Sequence, residues 1–525
     1  MIFPTIAVLI AAVIYPYGYA ITGVSAADLL QHLYERPVPQ VVSTVEPSDG
    51  TTATVAEEDW DIRYHMGGNS PWIPKTDGTV DGNIDPPLGC RIDQVHMMAR
   101  HAERYPTTLS GIRMLELFQH IQHANVTLQG DLAFANDWNF FMRDLGHLED
   151  LVATGPYAGT LEAFETGVKL RTRYEHLLEE ALARNQTNFW ASDSKRVLET
   201  AGYFGAGFFG LDWRDTARLH VIPETEDRGG DTLTPGKTCF KYSHDADGHG
   251  HAYGVRMWSQ WRESYMPAIV GRLSTPDVTF TESEVYSMQE LCGFELIAKG
   301  SSKWCDVFTH EEWEQFEYAR DVLHYYRTGP GTPYSATMGW LWLNATANLL
   351  QEGAAEAGPL FFSFIIIALL REIMLTEATT SVHDGDIIPM LAALDLLPDQ
   401  VDLPISHLSR NRTFRTSDIV PMGGRIIFER LACPAAQACW NKADYGYPNM
   451  VFCEPYDAGK EDYFVRINVN DGIVALPGCD SGPGSSCPLA EFMQRVKQRG
   501  DQAGNFKETC GLRKDAKGGI SFLHQ

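Results

Sequence analysis

A chain of 525 residues, 44% hydrophobic and 21% charged, can bury a large core and hold two or three structural units. Its formal charge of −26 argues against a nucleic-acid partner, because a phosphate backbone needs a basic face. A small phosphate ester is not excluded, since a local arginine cluster can outweigh a distant field.

Met1 to Ile14 is an apolar run too short for a comfortable membrane span. Small residues follow at Gly18 and Ala20, and again at Val24, Ser25 and Ala26. The pattern predicts a signal peptide over 1–26, cleaved after Ala20 or Ala26. An uncleaved anchor is the alternative, and membrane contact is expected only in that case. Ten cysteines, an even number without a Cys-x-x-Cys, suggest disulfides in an oxidising compartment rather than a zinc ribbon. Sequons at Asn125, Asn185, Asn344 and Asn411 agree with a secreted glycoprotein.

Residues 27–59 read as an extended arm. Leu29 to Tyr34 suggests a short helical turn, and Pro37 to Glu57 is rich in Pro, Ser, Thr and Val. Turns between Tyr64 and Gly89 lead to Cys90 and to Val95–Ala99, an apolar run that predicts a buried strand. That strand ends on Arg100-His101-Ala102-Glu103-Arg104-Tyr105-Pro106. Two guanidiniums flanking an imidazole at a buried strand end are costly unless an anion is expected there. Arginine offers a planar fork that fits phosphate oxygens, and histidine can attack phosphorus. An isolated Arg-His pair would read as a solvated basic turn; the full string reads as function.

Ser110–His123 and Thr160–Arg184 carry helical apolar stripes, with a loop over 146–157. Phe189–Ala191 predicts a second buried strand, Ser192–Ser194 a turn, and Arg196 the opening of a helix. A helix start points donors and partial positive charge outward, which suits an anion. Residues 202–345 read as helices and loops. His244, Asp245, Asp247, His249 and His251 lie in a Gly-rich stretch with no ligand-orienting spacing, so a solvated loop is expected rather than a metal site. Glu311–Arg327 predicts an amphipathic helix broken over 329–333, Trp340–Leu350 another helix, and Pro359–Phe364 a buried strand. Asp386 can cap a helix containing Ile388, Leu391 and Leu394, with His383 and Asp384 just ahead of it. Strand-like runs follow at Arg425–Glu429, Met450–Cys453 and Phe464–Val469. Asp480-Ser481-Gly482, between Cys479 and Cys487, reads as a disulfide-closed turn, since nothing nearby supplies a base. The chain has no phosphate-binding P-loop, no Gly-x-Ser-x-Gly elbow and no internal repeat.

The string Arg100–Pro106 resembles the histidine acid phosphatase signature, Arg-His-Gly-x-Arg-x-Pro. It is closer still to the Arg-His-Gly-Glu-Arg-Tyr-Pro of the fungal acid phosphatase and phytase branch. Ala102 replaces the glycine, which adds a methyl expected beside the phosphate cradle. Ser192 with Arg196-Val197 matches the family's Ser-x-x-x-Arg-Val segment, and Gly339 to Thr346 resembles its Gly-Trp-x-Trp-x-Asn-Ala-Thr segment. His383-Asp384 matches the family's C-terminal His-Asp pair; His244-Asp245 is the rival, but no helix start follows it.

The resemblance covers most of the chain after residue 59 and implies a catalytic domain over 60–515. The implied fold is α/β, of the histidine-phosphatase (phosphoglycerate-mutase-like) type. It has a mainly parallel central sheet flanked by helices, and a smaller helical subdomain from segments near 107–188 and parts of 205–345. The implied function is secreted hydrolysis of phosphate monoesters at acidic pH, with phytate among the candidate substrates. By the resemblance, His101 attacks phosphorus to form a phosphohistidine, Arg100, Arg104, Arg196 and His383 bind the phosphoryl oxygens, and Asp384 protonates the leaving group. No metal or cofactor is implied, the partner is a small phosphorylated substrate, and an oligomer is left open. The resemblance also suggests disulfides Cys90–Cys433, Cys239–Cys510, Cys292–Cys305 and Cys479–Cys487, leaving Cys439 and Cys453 to pair. Two alternatives stay open: a catalytically weak secreted binder on the same scaffold, and a phosphoglycerate-mutase-like phosphoryl transferase, against which the leader, cysteines and sequons argue. In the family the strand at 359–364 runs almost directly into the His-Asp pair. Here residues 365–381 intervene, and they are expected to be a retained intron rather than part of the working enzyme.

Overall fold

The run that ends on the arginines is a ten-residue strand, buried at every position after its first. The computed structural model describes residues 60–80, 84–124, 126–365, 387–396, 401–435 and 460–525, and the backbone of 439–441 and 451–453. The leader and arm (1–59), Asn125, and 366–386 with His383, Asp384 and Asp386 lie outside the described residues.

The strands are β1 (Arg91–Arg100), β2 (Asn188–Ser192), β3 (Arg218–Ile222), β4 (Leu360–Ile365), β5 (Arg425–Pro434), β6 (Cys439–Asn441), β7 (Val451–Cys453), β8 (Glu461–Val469), β9 (Gly472–Val474) and β10 (Cys487–Pro488). The main sheet runs β10-β8-β5-β1-β4-β2-β3, with β9 also on β8. β1, β4, β2 and β3 are mutually parallel, in keeping with the parallel sheet that the resemblance implies. From β5 onward the added strands are antiparallel, so the sheet as a whole is mixed.

The longer helices are α1 (Thr108–His123), α2 (Gly159–Arg173), α3 (Glu175–Arg184), α4 (Lys195–Phe208), α5 (Tyr253–Leu273), α6 (Glu282–Lys299), α7 (His310–Arg327), α8 (Ser335–Glu352), α9 (Ile387–Leu394) and α10 (Leu489–Ala503). α6 and α7 each begin with a capping box, Thr281 with Glu284 and Thr309 with Glu312, which satisfies two end donors reciprocally.

Successive residues of a strand point to opposite faces, and β1 is covered on both. Val95, Met97 and Ala99 pack with Leu170, Leu177, Val197 and Phe204 from α2, α3 and α4. Met98 joins the other cluster, with Trp342, Ile388 and Phe492 from α8, α9 and α10. This double covering explains why Val95–Ala99 reads as a largely apolar run rather than an alternating one.

The stretch expected as one helix over 160–184 is two. The break is at Tyr174, whose side chain is fully buried and whose hydroxyl donates to Glu429 at 2.7 Å. β3 was not foreseen; four of its five residues keep some exposure, so it lacks an apolar run. Four of the expected disulfides are formed, Cys90–Cys433, Cys239–Cys510, Cys292–Cys305 and Cys479–Cys487. Cys439 and Cys453 are register partners on β6 and β7. Among the described residues no helix is long and apolar enough to cross a membrane.

Candidate active site

The parallel register brings three strand ends together. Arg100, the last residue of β1, is level with Ile365, the last of β4, and Ala191 of β2 is level with Phe364. The Arg-His string therefore leaves β1 beside the turn that leads from β2 into α4. Open α/β sheets place ligands at such carboxyl ends. Arg196, in the first turn of α4, is only 4% exposed.

His101 is fully buried, and its Nδ1 lies 2.8 Å from the carbonyl oxygen of Ala102. A carbonyl only accepts, so Nδ1 carries the proton and Nε2 the lone pair. Nε2 has no hydrogen-bond partner among the described residues. Burial pushes the imidazole's pKa well below its usual value, and the charges of Arg100, Arg104 and Arg196 push it further. A neutral imidazole with a free Nε2, facing three guanidinium charges, is the state a nucleophile needs in acid.

Each arginine is held by a different partner. Arg100 donates from Nη1 to the carbonyls of Gly68 (2.8 Å) and Val420 (2.5 Å). Arg104 donates to its neighbour's carbonyl at Tyr105 and lies over the Phe294 ring. Arg196 donates from Nη1 to Glu149 at 2.9 Å, while its Nε and Nη2 are buried with no hydrogen-bond partner among the described residues. A buried donor left unpaired costs about 1–3 kcal/mol. The arrangement suits an anion that takes up those donors.

The backbone of the string is fixed from three sides. The N–H of Arg100 donates to Gly424, and that of Gly423 donates to His101. The N–H of Ala102 donates to Thr200 Oγ1, which itself donates to the carbonyl of Arg196, so the string and α4 are directly coupled. α2 begins hard against the string: a β-carbon at Gly159 would meet the Glu103 carbonyl oxygen at 2.0 Å. Only glycine allows that approach.

Ala102 keeps a negative φ, so the site does not demand glycine for conformation. Its side chain is fully buried with Leu151, Ala163 and Tyr203 in a small apolar cluster. The methyl is absorbed by packing.

The site brings together Arg100, His101, Arg104 and Arg196. His383 and Asp384 lie outside the described residues. In the Gly-rich loop Asp245 pairs with Arg256, Asp247 accepts from Tyr334, and His251 contacts Arg327. No group of three His, Cys, Asp or Glu able to hold a metal occurs among the described residues. Sequence reasoning missed Glu149, Thr200, Gly423 and Gly424. Each acts on the site through hydrogen bonds to residues far along the chain and leaves no pattern in the sequence.

A family model described as "Histidine phosphatase superfamily (branch 2)" matches residues 91–470. Acid phosphatase PHO1 of Komagataella pastoris is 30% identical over 467 residues, covering 88% of each chain. Phytase PHO112 of Candida albicans is 30% identical over 481 residues, covering 90% of this chain and 92% of its own. Among solved structures, the phytase from D. castellii superposes with a TM-score of 0.74 at 28% identity, covering 88% of this chain and 90% of its own.

Proposed function

The chain belongs to the histidine phosphatase superfamily, branch 2, and from that premise we propose that it is a secreted acid phosphatase working through a phosphohistidine. It hydrolyses phosphate monoesters, the activity that the names of its acid phosphatase and phytase relatives share. The observation that carries the reading is the buried, Nδ1-protonated His101, with its Nε2 lone pair among the charges of Arg100, Arg104 and Arg196.

In the first step Nε2 attacks phosphorus and the P–O ester bond breaks. Arg100, Arg104, Arg196 and His383 take the charge on the phosphoryl oxygens, and Asp384 gives its proton to the leaving alkoxide. In the second step water attacks the phosphohistidine and gives a proton to the Asp384 carboxylate, the P–N bond breaks with its electron pair returning to Nε2, and inorganic phosphate leaves. Residues 60–515 form the catalytic domain in this reading. The four disulfides support an oxidising, extracellular setting. Phytate is a candidate substrate alongside simple monoesters. Packing of the Ala102 methyl away in the apolar cluster removes one ground for a catalytically weak binder.

The test is phosphate release at acidic pH from phytate and from a small aryl phosphate, by wild type and His101→Ala, with acid-stable and acid-labile phosphoenzyme distinguished after quenching. Release lost in His101→Ala, with an acid-labile phosphoenzyme in wild type, is expected. Release that survives in His101→Ala would reject the nucleophile.

A further inference from the structure

Glu149 stands in an unusual conformation for a residue with a β-carbon. Its φ is 71°, in the left-handed region that residues with a β-carbon seldom adopt. Three contacts hold it there. Its N–H donates to the carbonyl of Pro106, the last residue of the Arg-His string, at 2.9 Å. Its Oε1 accepts from both the N–H and the hydroxyl of Thr108, the first residue of α1, at 3.2 Å each. Its Oε2 accepts from Arg196 Nη1 at 2.9 Å. Burial alone would raise the Glu149 pKa, but the charges of Arg196 and Arg104 hold it below its usual value, so it is a carboxylate in mild acid.

One carboxylate therefore ties the end of the string and the start of α1 to a guanidinium on α4. The other edge of that guanidinium, Nε and Nη2, is buried and without a hydrogen-bond partner among the described residues. Arginine binds phosphate best through two parallel donors on one edge. Its long side chain has many rotamers when nothing fixes it.

We propose that Glu149 is a positioning residue that pins Arg196 by Nη1, so that the Nε–Nη2 edge meets the phosphoryl oxygens of substrate and product. The inference rests on the reading of Arg196 as a phosphate ligand. Glu149 touches neither substrate nor the reacting atoms. It also places a negative charge near an anion, so its orienting and repelling effects oppose each other, and the test must separate them.

The measurement is the inhibition constant for inorganic phosphate, with kcat and KM for an aryl phosphate, in wild type, Glu149→Gln, Glu149→Ala, Glu149→Gly and Arg196→Ala. Gln removes the charge but keeps an oxygen that can accept from Arg196. Ala removes both. Gly removes both and suits a φ of 71°, so it keeps the test open if Ala disturbs folding. Glu149→Gln is expected to bind phosphate at least as tightly as wild type. The Ala and Gly variants are expected to bind it roughly tenfold more weakly than Gln, the scale of a misplaced ligand group. Equal phosphate inhibition in the Gln, Ala and Gly variants would overturn the proposal, whatever their melting temperatures. If Arg196→Ala leaves phosphate inhibition and KM unchanged, Arg196 is no phosphate ligand, and both readings fall. Loss in Arg196→Ala with no difference among the Glu149 variants sinks the positioning role alone.

Discussion

His101 Nδ1 donates to the carbonyl oxygen of the next residue, Ala102, at 2.8 Å. That single bond sets the tautomer, and burial with three arginine charges holds the ring neutral far into acid. A free imidazole would lose about tenfold in its neutral form for each pH unit below 6.5. We expect kcat/KM to show no such limb centred near 6.5 as pH falls toward 4.5. A pH–rate profile with an acid limb at that midpoint would contradict the assignment of a depressed nucleophile.

His96, on β1, bears on stability rather than turnover. It is fully buried, stacked on Phe361 with ring centroids 4.3 Å apart, and neither ring nitrogen has a hydrogen-bond partner among the described residues. Burial lowers its pKa from 6.5 to about 3. In the unfolded chain the ring takes a proton near 6.5, while in the folded chain it waits until about 3. Stability is therefore complete above 6.5 and falls as pH drops through that window. At pH 4.5 the loss is about 3 kcal/mol. His96→Phe should shrink the difference in unfolding free energy between pH 7.5 and pH 4.5 by about 2–3 kcal/mol. Denaturant titrations at the two pH values measure it, and any overpacking by the larger ring cancels in the difference. An unchanged difference rejects the buried neutral histidine.

Glu429, like Glu149, is one group that holds several elements. It is fully buried on β5, and it accepts from Arg173 (2.7 Å), from the Tyr174 hydroxyl (2.7 Å) and from Arg466 Nε at 2.8 Å. Glu429→Gln leaves two buried guanidiniums facing a neutral amide. Removing one partner of a buried pair typically costs about 3–5 kcal/mol. A loss of that order in thermal or denaturant unfolding is expected; a loss under about 1 kcal/mol would mean the pairs are solvated.

The same cluster shows where the sequence stops being legible. β1, β2 and β4 were readable because burial on both faces leaves largely apolar runs. Arg100, His101 and Arg104 stood out in the sequence because two arginines flanking a histidine at a buried strand end suit an anion. The break at Tyr174 was not, because Tyr174 fits the apolar stripe of a continuous helix. At the break the Tyr174 hydroxyl donates to Glu429, 255 residues away. Glu149 was hidden likewise: it stands 47 residues from Arg196, and its conformation is set by Pro106 and Thr108. Local periodicity records which face is buried, not which distant polar atom is waiting there.

Asp384 carries a prediction through its proposed role alone. If it protonates the leaving alkoxide, Asp384→Asn should slow phosphoenzyme formation most for alkyl esters, whose leaving groups are poor. The expected loss is roughly a hundredfold or more for these, and much less for activated aryl esters. Rapid-quench rates for both classes decide it, and equal losses would remove Asp384 from the role.

The last expectation concerns residues 365–381. In the present chain 21 residues, 366 through 386, separate the end of β4 from the start of α9. Strand-to-helix connections in α/β units usually take about 2–6 residues. Joining Phe364 to Val382 would place Val382, apolar and β-branched like Ile365, at the register position opposite Arg100. By the parallel register His383 would then come level with His101, and four residues, 383 through 386, would lead into α9. The segment removed is seventeen residues, 365 through 381, or 51 nucleotides at three per codon. We propose that it is a retained intron, and we expect the mature transcript to lack it. A displacement of about 1 Å at a catalytic group can cost a hundredfold. The 525-residue form should therefore be at least about a hundredfold less active than the form lacking 365–381. Both forms can be expressed and assayed side by side. Abundant peptides from within 365–381 in a fully active secreted enzyme would show instead that the fold accommodates the insertion.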